Sequence, residues 1–87
     1  MTIRFSQKFQ KQYKKLTPNL QKKTKDRITL WQEDPYNPLL RLHELQGKLS
    51  GFYSINVTGD VRAIYEVMDE EIIVYQMVGT HSELYDK

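Results

Sequence analysis

GFYSINV (51–57), TGD (58–60), VRAIYEVM (61–68), DE (69–70) and EIIVYQMV (71–78) follow one another without interruption. In the first segment Tyr53, Ile55 and Val57 alternate with Phe52, Ser54 and Asn56, the period of two that a half-buried strand requires. Thr58-Gly59-Asp60 reads as a turn and Asp69-Glu70 as a tight hairpin turn, so the stretch predicts three antiparallel strands. The last two are apolar enough to be central. One face of this sheet has to be covered, while the face carrying Ser54 and Asn56 is expected to stay open to solvent or to a ligand, in a shallow cleft.

Upstream, the period changes. Thr2 to Phe5 predicts a short opening strand, free to pair at one edge of the sheet. Phe5, Phe9, Tyr13 and Leu16 then recur at helical spacing, with Ser6 as N-cap and the lysines mostly on the wet side. Thr17-Pro18 closes this helix and opens a second, whose inward stripe is Leu20, Thr24, Arg27/Ile28 and Trp31. It ends near Asp34, because Pro35 and Pro38 forbid continuation. Leu40 and Leu42, ahead of Gln46-Gly47, suggest one further brief strand. The predicted architecture is α+β, in the order β-α-α-β-β-β, with a two-helix hairpin packed on an antiparallel sheet and residues 1–87 forming one domain.

Composition narrows the chemistry. With no cysteine among 87 residues, disulfides, cysteine zinc sites and thiol nucleophiles are excluded, and a cytoplasmic location is expected. Residues 1–10 have no signal-peptide core, and no apolar run approaches the ~20 residues of a membrane span. The net charge of +2 hides a division: residues 1–27 carry nine basic side chains against one acid, residues 28–87 four against ten. A basic flank of this kind attracts a polyanion, although a solvated lysine face accounts for it equally well.

Two histidines without HExxH-type spacing offer too few ligands for a transition metal, and Asp69, Glu70 and Glu71 read as a solvated turn rather than a magnesium site. No glycine-rich loop leads from a strand into a helix, so no nucleotide cofactor is expected. His43 and His81 remain as the side chains that exchange protons near neutrality. Both fall at strand ends or loops, where functional groups concentrate, although a lone histidine is more often structural. Metal-free cleavage of RNA needs a base for the 2′-hydroxyl, an acid for the 5′-oxygen and a cation at the phosphorane. Arg62, Arg41 and Lys48 are candidates for the cation, or ordinary solubilising charges.

His43-Glu44-Leu45-Gln46-Gly47, Gly51-Phe52-Tyr53, Val57-Thr58-Gly59-Asp60-Val61 leading to Ile64-Tyr65, and above all Gly79-Thr80-His81-Ser82-Glu83-Leu84-Tyr85 resemble the YafQ-type toxins of the RelE/ParE superfamily. The resemblance spans the chain in layout and the carboxyl-terminal half in motif. It implies a toxin of a type II toxin-antitoxin module that enters the ribosomal A site, cuts mRNA, and is neutralised by a small antitoxin in a hetero-oligomer. On that resemblance His81 is the main proton-transfer residue, as general acid; His43 supports the 2′-hydroxyl or the phosphate; Asp60 assists; and Tyr85 stacks on a base. Where the family carries a further histidine and an aspartate, this chain has Asn56 and Ser54, which hydrogen-bond a phosphate or ribose but shuttle no proton near pH 7. Arg62 and Lys48 join them as expected substrate contacts. Lys11, Lys14, Lys15, Lys22 and Lys23 are the expected contacts to ribosomal RNA. Two other functions share this fold: a ParE-like inhibitor of a topoisomerase, and a non-catalytic module binding RNA or protein.

Overall fold

Ser6 and Thr17 start the two helices. In the computed structural model, which describes residues 1–85, the Ser6 hydroxyl accepts the Phe9 N–H at 3.0 Å and opens α1 (Gln7–Lys15). The Thr17 hydroxyl accepts the Leu20 N–H at 3.2 Å and opens α2 (Pro18–Glu33), with Pro18 in the first turn, where its missing donor costs nothing. The Tyr13 hydroxyl donates to the Gln21 carbonyl at 3.1 Å, and the Gln21 amide donates back to the Tyr13 carbonyl at 3.0 Å, so the hairpin is tied across its own turn.

The remaining elements are β1 (Thr2–Phe5), β2 (His43–Glu44), β3 (Phe52–Asn56), β4 (Val61–Asp69), β5 (Ile72–Thr80) and a short helix α3 (His81–Tyr85). They form one five-stranded sheet in the order β1-β5-β4-β3-β2. The expected order β-α-α-β-β-β is present with one strand more and with α3 added at its end, and β4 and β5 lie in the interior of the sheet. The meander is antiparallel, but β1 runs parallel to β5, with Thr2 opposite Ile72 and Phe5 opposite Tyr75, so the sheet is mixed. A parallel neighbour needs a long crossover, and here everything between β1 and β5 supplies it. The strand expected from Leu40 is shorter than its pattern suggested. Pro38–Leu40 forms a single 3-10 turn, and only His43 and Glu44 pair with β3.

The hairpin covers one face. Leu40, Ile55, Val57 and Tyr75 are fully buried there, together with Phe9, Ile28, Trp31 and Tyr65. Burying an aliphatic side chain of this size contributes about 1.5–3 kcal/mol. Trp31 packs 4.9 Å from Tyr65, centroid to centroid, and donates its indole N–H to the Tyr65 hydroxyl at 3.2 Å.

A register shift in β5 builds the other face. Tyr65 pairs with Tyr75 but Ile64 pairs with Met77, which leaves Gln76 as the extra residue of a bulge. Strict alternation would put Met77 on the same side as Tyr75; the extra residue turns it to the opposite side, where it meets Ile64 and Leu84. Leu45, Leu49, Phe52 and Tyr85 close over these three as a second, smaller core. The expectation that Ser54 faces solvent or a ligand is therefore corrected. It is fully buried, opposite Ile64 in the register, and its hydroxyl has no hydrogen-bond partner among the described residues. The face it points to is covered by α3 and by the segment after β2, which a strand-by-strand reading left out.

Candidate active site

His43 owes its position to a backbone reversal. Arg41, at the end of the Pro38–Leu40 turn, has φ of 46°, the left-handed region that a non-glycine residue enters rarely. The reversal brings the Arg41 carbonyl to 3.0 Å from Nδ1 of His43. A carbonyl oxygen only accepts, so in the neutral ring Nδ1 carries the proton and Nε2 presents a lone pair. His43 is itself exposed, on the edge strand of the sheet.

His81 is placed from the other end of the sheet. It is the first residue of α3, its N–H donating to the Asp60 carbonyl at 3.1 Å, and its ring lies 4.5 Å from that of Tyr85 one turn later, at 59° between planes. Arg62 lies between the two arms. Its Nη1 donates to the carbonyls of Thr58 at 3.0 Å and Gly59 at 2.9 Å, which fixes the side chain against the 58–60 turn. A guanidinium has five donors, so these bonds do not exhaust it.

Together with Leu45, Gln46 and Leu49, these four residues line an open cleft of about 390 Å³. His43, His81, Arg62 and Tyr85 thus come together. Asp60, Lys48, Asn56 and Ser54 are not among the lining residues. Asp60 is exposed and adjoins the site through its carbonyl; Asn56 is half-buried opposite Arg62 in the register; and Lys48 is exposed in the Gly47–Leu49 turn. Lys11, Lys14, Lys15, Lys22 and Lys23 are all exposed on the hairpin, and none lines the cleft.

Sequence reasoning missed Leu45, Gln46 and Leu49 as cleft residues. A weak signal was present: two leucines flank Gly47, whose φ of 66° folds that segment back over the sheet. A larger hollow of about 700 Å³ lies between the helices, lined by Phe5, Phe9, Tyr13 and Ile28 among others and by neither histidine. Among the described residues no three of His, Asp and Glu gather as metal ligands, and no helix is long and apolar enough to cross a membrane.

Solved structures share this architecture. YafQ from E. coli strain BL21(DE3) matches with a TM-score of 0.83 at 24% identity, over 97% of each chain. The YoeB/ParE toxin from Agrobacterium tumefaciens matches at 0.77 and 19% identity, over 93% of this chain and 99% of that one. A chain of the E. coli DinJ-YafQ toxin-antitoxin complex matches at 0.81 and 25% identity, over 97% and 96%. Among curated proteins none is a significant match. The mixed sheet with its helical hairpin is thus the fold of the YafQ- and YoeB-type toxins. Residues 1–86 match the family model described as bacterial toxin of type II toxin-antitoxin system, YafQ. The chain belongs to the YafQ family and is a toxin of that type.

Proposed function

We propose that this toxin is a metal-independent endoribonuclease that cuts mRNA on the ribosome by histidine acid-base chemistry. The observation that carries the reading is the convergence of His43, from an edge strand, and His81, from the terminal helix, on one cleft that also holds Arg62 and Tyr85. The lone pair on Nε2 of His43 takes the 2′-hydroxyl proton as that oxygen attacks the adjacent phosphorus. His81, protonated, delivers a proton to the departing 5′-oxygen, so the products are a 2′,3′-cyclic phosphate and a 5′-hydroxyl end. Arg62 faces the charge that builds on the phosphorane oxygens, and Tyr85 stacks on a base.

Neither Asn56 nor Ser54 enters these steps. The chemistry rests on two imidazoles, with Asp60 assisting through the carbonyl that holds the start of α3. The exposed lysines of the hairpin supply a sequence-independent hold on ribosomal RNA. A toxin that acts on ribosomes acts in the cytoplasm. A small antitoxin of the kind found with YafQ in the DinJ-YafQ complex is its partner.

Expression of wild type and His81→Ala in growing cells tests the reading. The wild type should arrest growth with cleaved mRNA, and the substitution should lower cleavage by about 10²–10⁴-fold, the usual contribution of a positioned acid or base. Arrest that persists in His81→Ala with intact mRNA and DNA-damage signalling would replace the nuclease by a topoisomerase inhibitor.

A further inference from the structure

Thr80 and Glu83 make a reciprocal pair at the start of α3. The Thr80 N–H donates to Oε1 of Glu83 at 2.8 Å, and the Glu83 N–H donates to the Thr80 hydroxyl at 3.2 Å. This is a capping box, which satisfies two N–H groups that a helix start otherwise leaves without partners. α3 needs it more than the long helices do. It has five residues, whereas helices shorter than ~12–15 residues are marginal on their own. Those five residues carry both His81 and Tyr85.

Glu83 lies outside the cleft. It borders a neighbouring hollow with Lys8 and Lys15 of the hairpin, on the side of α3 away from His43. Gly79 makes room for it: a Cβ there would come within 3.0 Å of the same Oε1. The Thr80 N–H, then the Thr80 side chain, and last the charge of Lys15 hold the Glu83 carboxyl below its ordinary range, against a small opposing effect of burial. Leu84 anchors the inner side of α3 in the small core, and the Asp60 carbonyl takes the His81 N–H. The box is the hydrogen-bonded side-chain part of this attachment, and neither of its residues lines the cleft.

We propose that Glu83, acting through Thr80, is a positioning residue that sets the relative geometry of His81 and Tyr85. The proposal rests on the nuclease reading for its consequence in catalysis, but its structural content stands apart from that reading. The His81–Tyr85 contact places the imidazole in the ring current of the phenol, so the His81 ring-proton shifts report the geometry without any RNA.

The test compares the full-length purified wild type with Glu83→Ala, Thr80→Ala, Glu83→Gln and the double variant Thr80→Ala/Glu83→Ala, using Tyr85→Ala as the reference for a lost stack. Glu83→Ala and Thr80→Ala should both move the His81 shifts toward the Tyr85→Ala values. Glu83→Gln, whose amide oxygen accepts the same N–H, should keep the wild-type shifts. The double variant should go no further than either single one, because one box is lost only once. In cleavage assays on ribosomes Glu83→Ala should lower kcat by roughly ten- to a hundredfold, the scale of a misplaced group, with KM nearly unchanged and rescue by Glu83→Gln.

Wild-type His81 shifts in Glu83→Ala, or a Glu83→Gln that behaves like the alanine variant, would overturn the proposal. If the alanine variants do not fold, Glu83→Gln and Thr80→Ser decide it, since both preserve the box and must preserve the shifts. A wild type that cuts no RNA, with the shifts responding as described, would defeat the nuclease reading alone.

Discussion

The two faces of the sheet are built to different ends. Under the hairpin, Trp31, Tyr65 and Tyr75 interlock, with Tyr75 fully buried and its ring centre 5.6 Å from Trp31 and 5.3 Å from Tyr65. Burial pushes the Tyr65 and Tyr75 hydroxyls above the ordinary phenol range, Tyr75 the further. Across the sheet three buried apolar residues, Ile64, Met77 and Leu84, underlie a cleft whose imidazoles are exposed. One face buries most of the core residues and carries neither histidine; the other has a small core and offers both imidazoles. Stability and chemistry should therefore be separable by mutation.

The largest expected effect lies on the hairpin face. Trp31→Ala removes a buried indole and the hydrogen bond to Tyr65, and should cost about 3–5 kcal/mol in urea unfolding. His43→Ala on the exposed edge should change stability by less than about 0.5 kcal/mol. Comparable losses from the two substitutions would break the division.

Next comes the outer surface of the hairpin. Reversing charge at Lys11, Lys14, Lys22 and Lys23 should weaken binding to ribosomes and flatten its salt dependence, because fewer counterions are released. Lys15 is left in place because it faces Glu83. Binding that keeps the wild-type salt slope would remove the basic face from the proposed function.

The smallest effect tests the second core. Ser54→Ala removes a buried hydroxyl that has no partner among the described residues, and should raise stability by about 1 kcal/mol in the same unfolding assay. A loss of similar size would mean that the hydroxyl is satisfied within the folded chain and that the cleft face is more polar inside than its packing indicates.

Much of this was legible in the chain itself. Short-range signals fixed the elements: Ser6 and Thr17 at the helix starts, Pro35 and Pro38 after the second helix, the alternation around Tyr53 and Ile55, and the turns at 58–60 and 69–70. The charge division of the first 27 residues needs no structure at all. The motif from Gly79 to Tyr85 pointed to the family, since residue types at fixed spacing survive translation into any fold.

Lateral neighbours and covering layers are long-range facts, and only the tertiary structure decided them. A strand pattern says which residues share a face but not which strand lies alongside, so the parallel seat of β1 on β5 stayed hidden. The bulge at Gln76 adds one residue, and that one residue sends Met77 to the far side, where it joins Ile64 and Leu84. The union of His43 with His81 has the same origin. Nothing local joins an edge strand to a terminal helix; the order of strands in the sheet does.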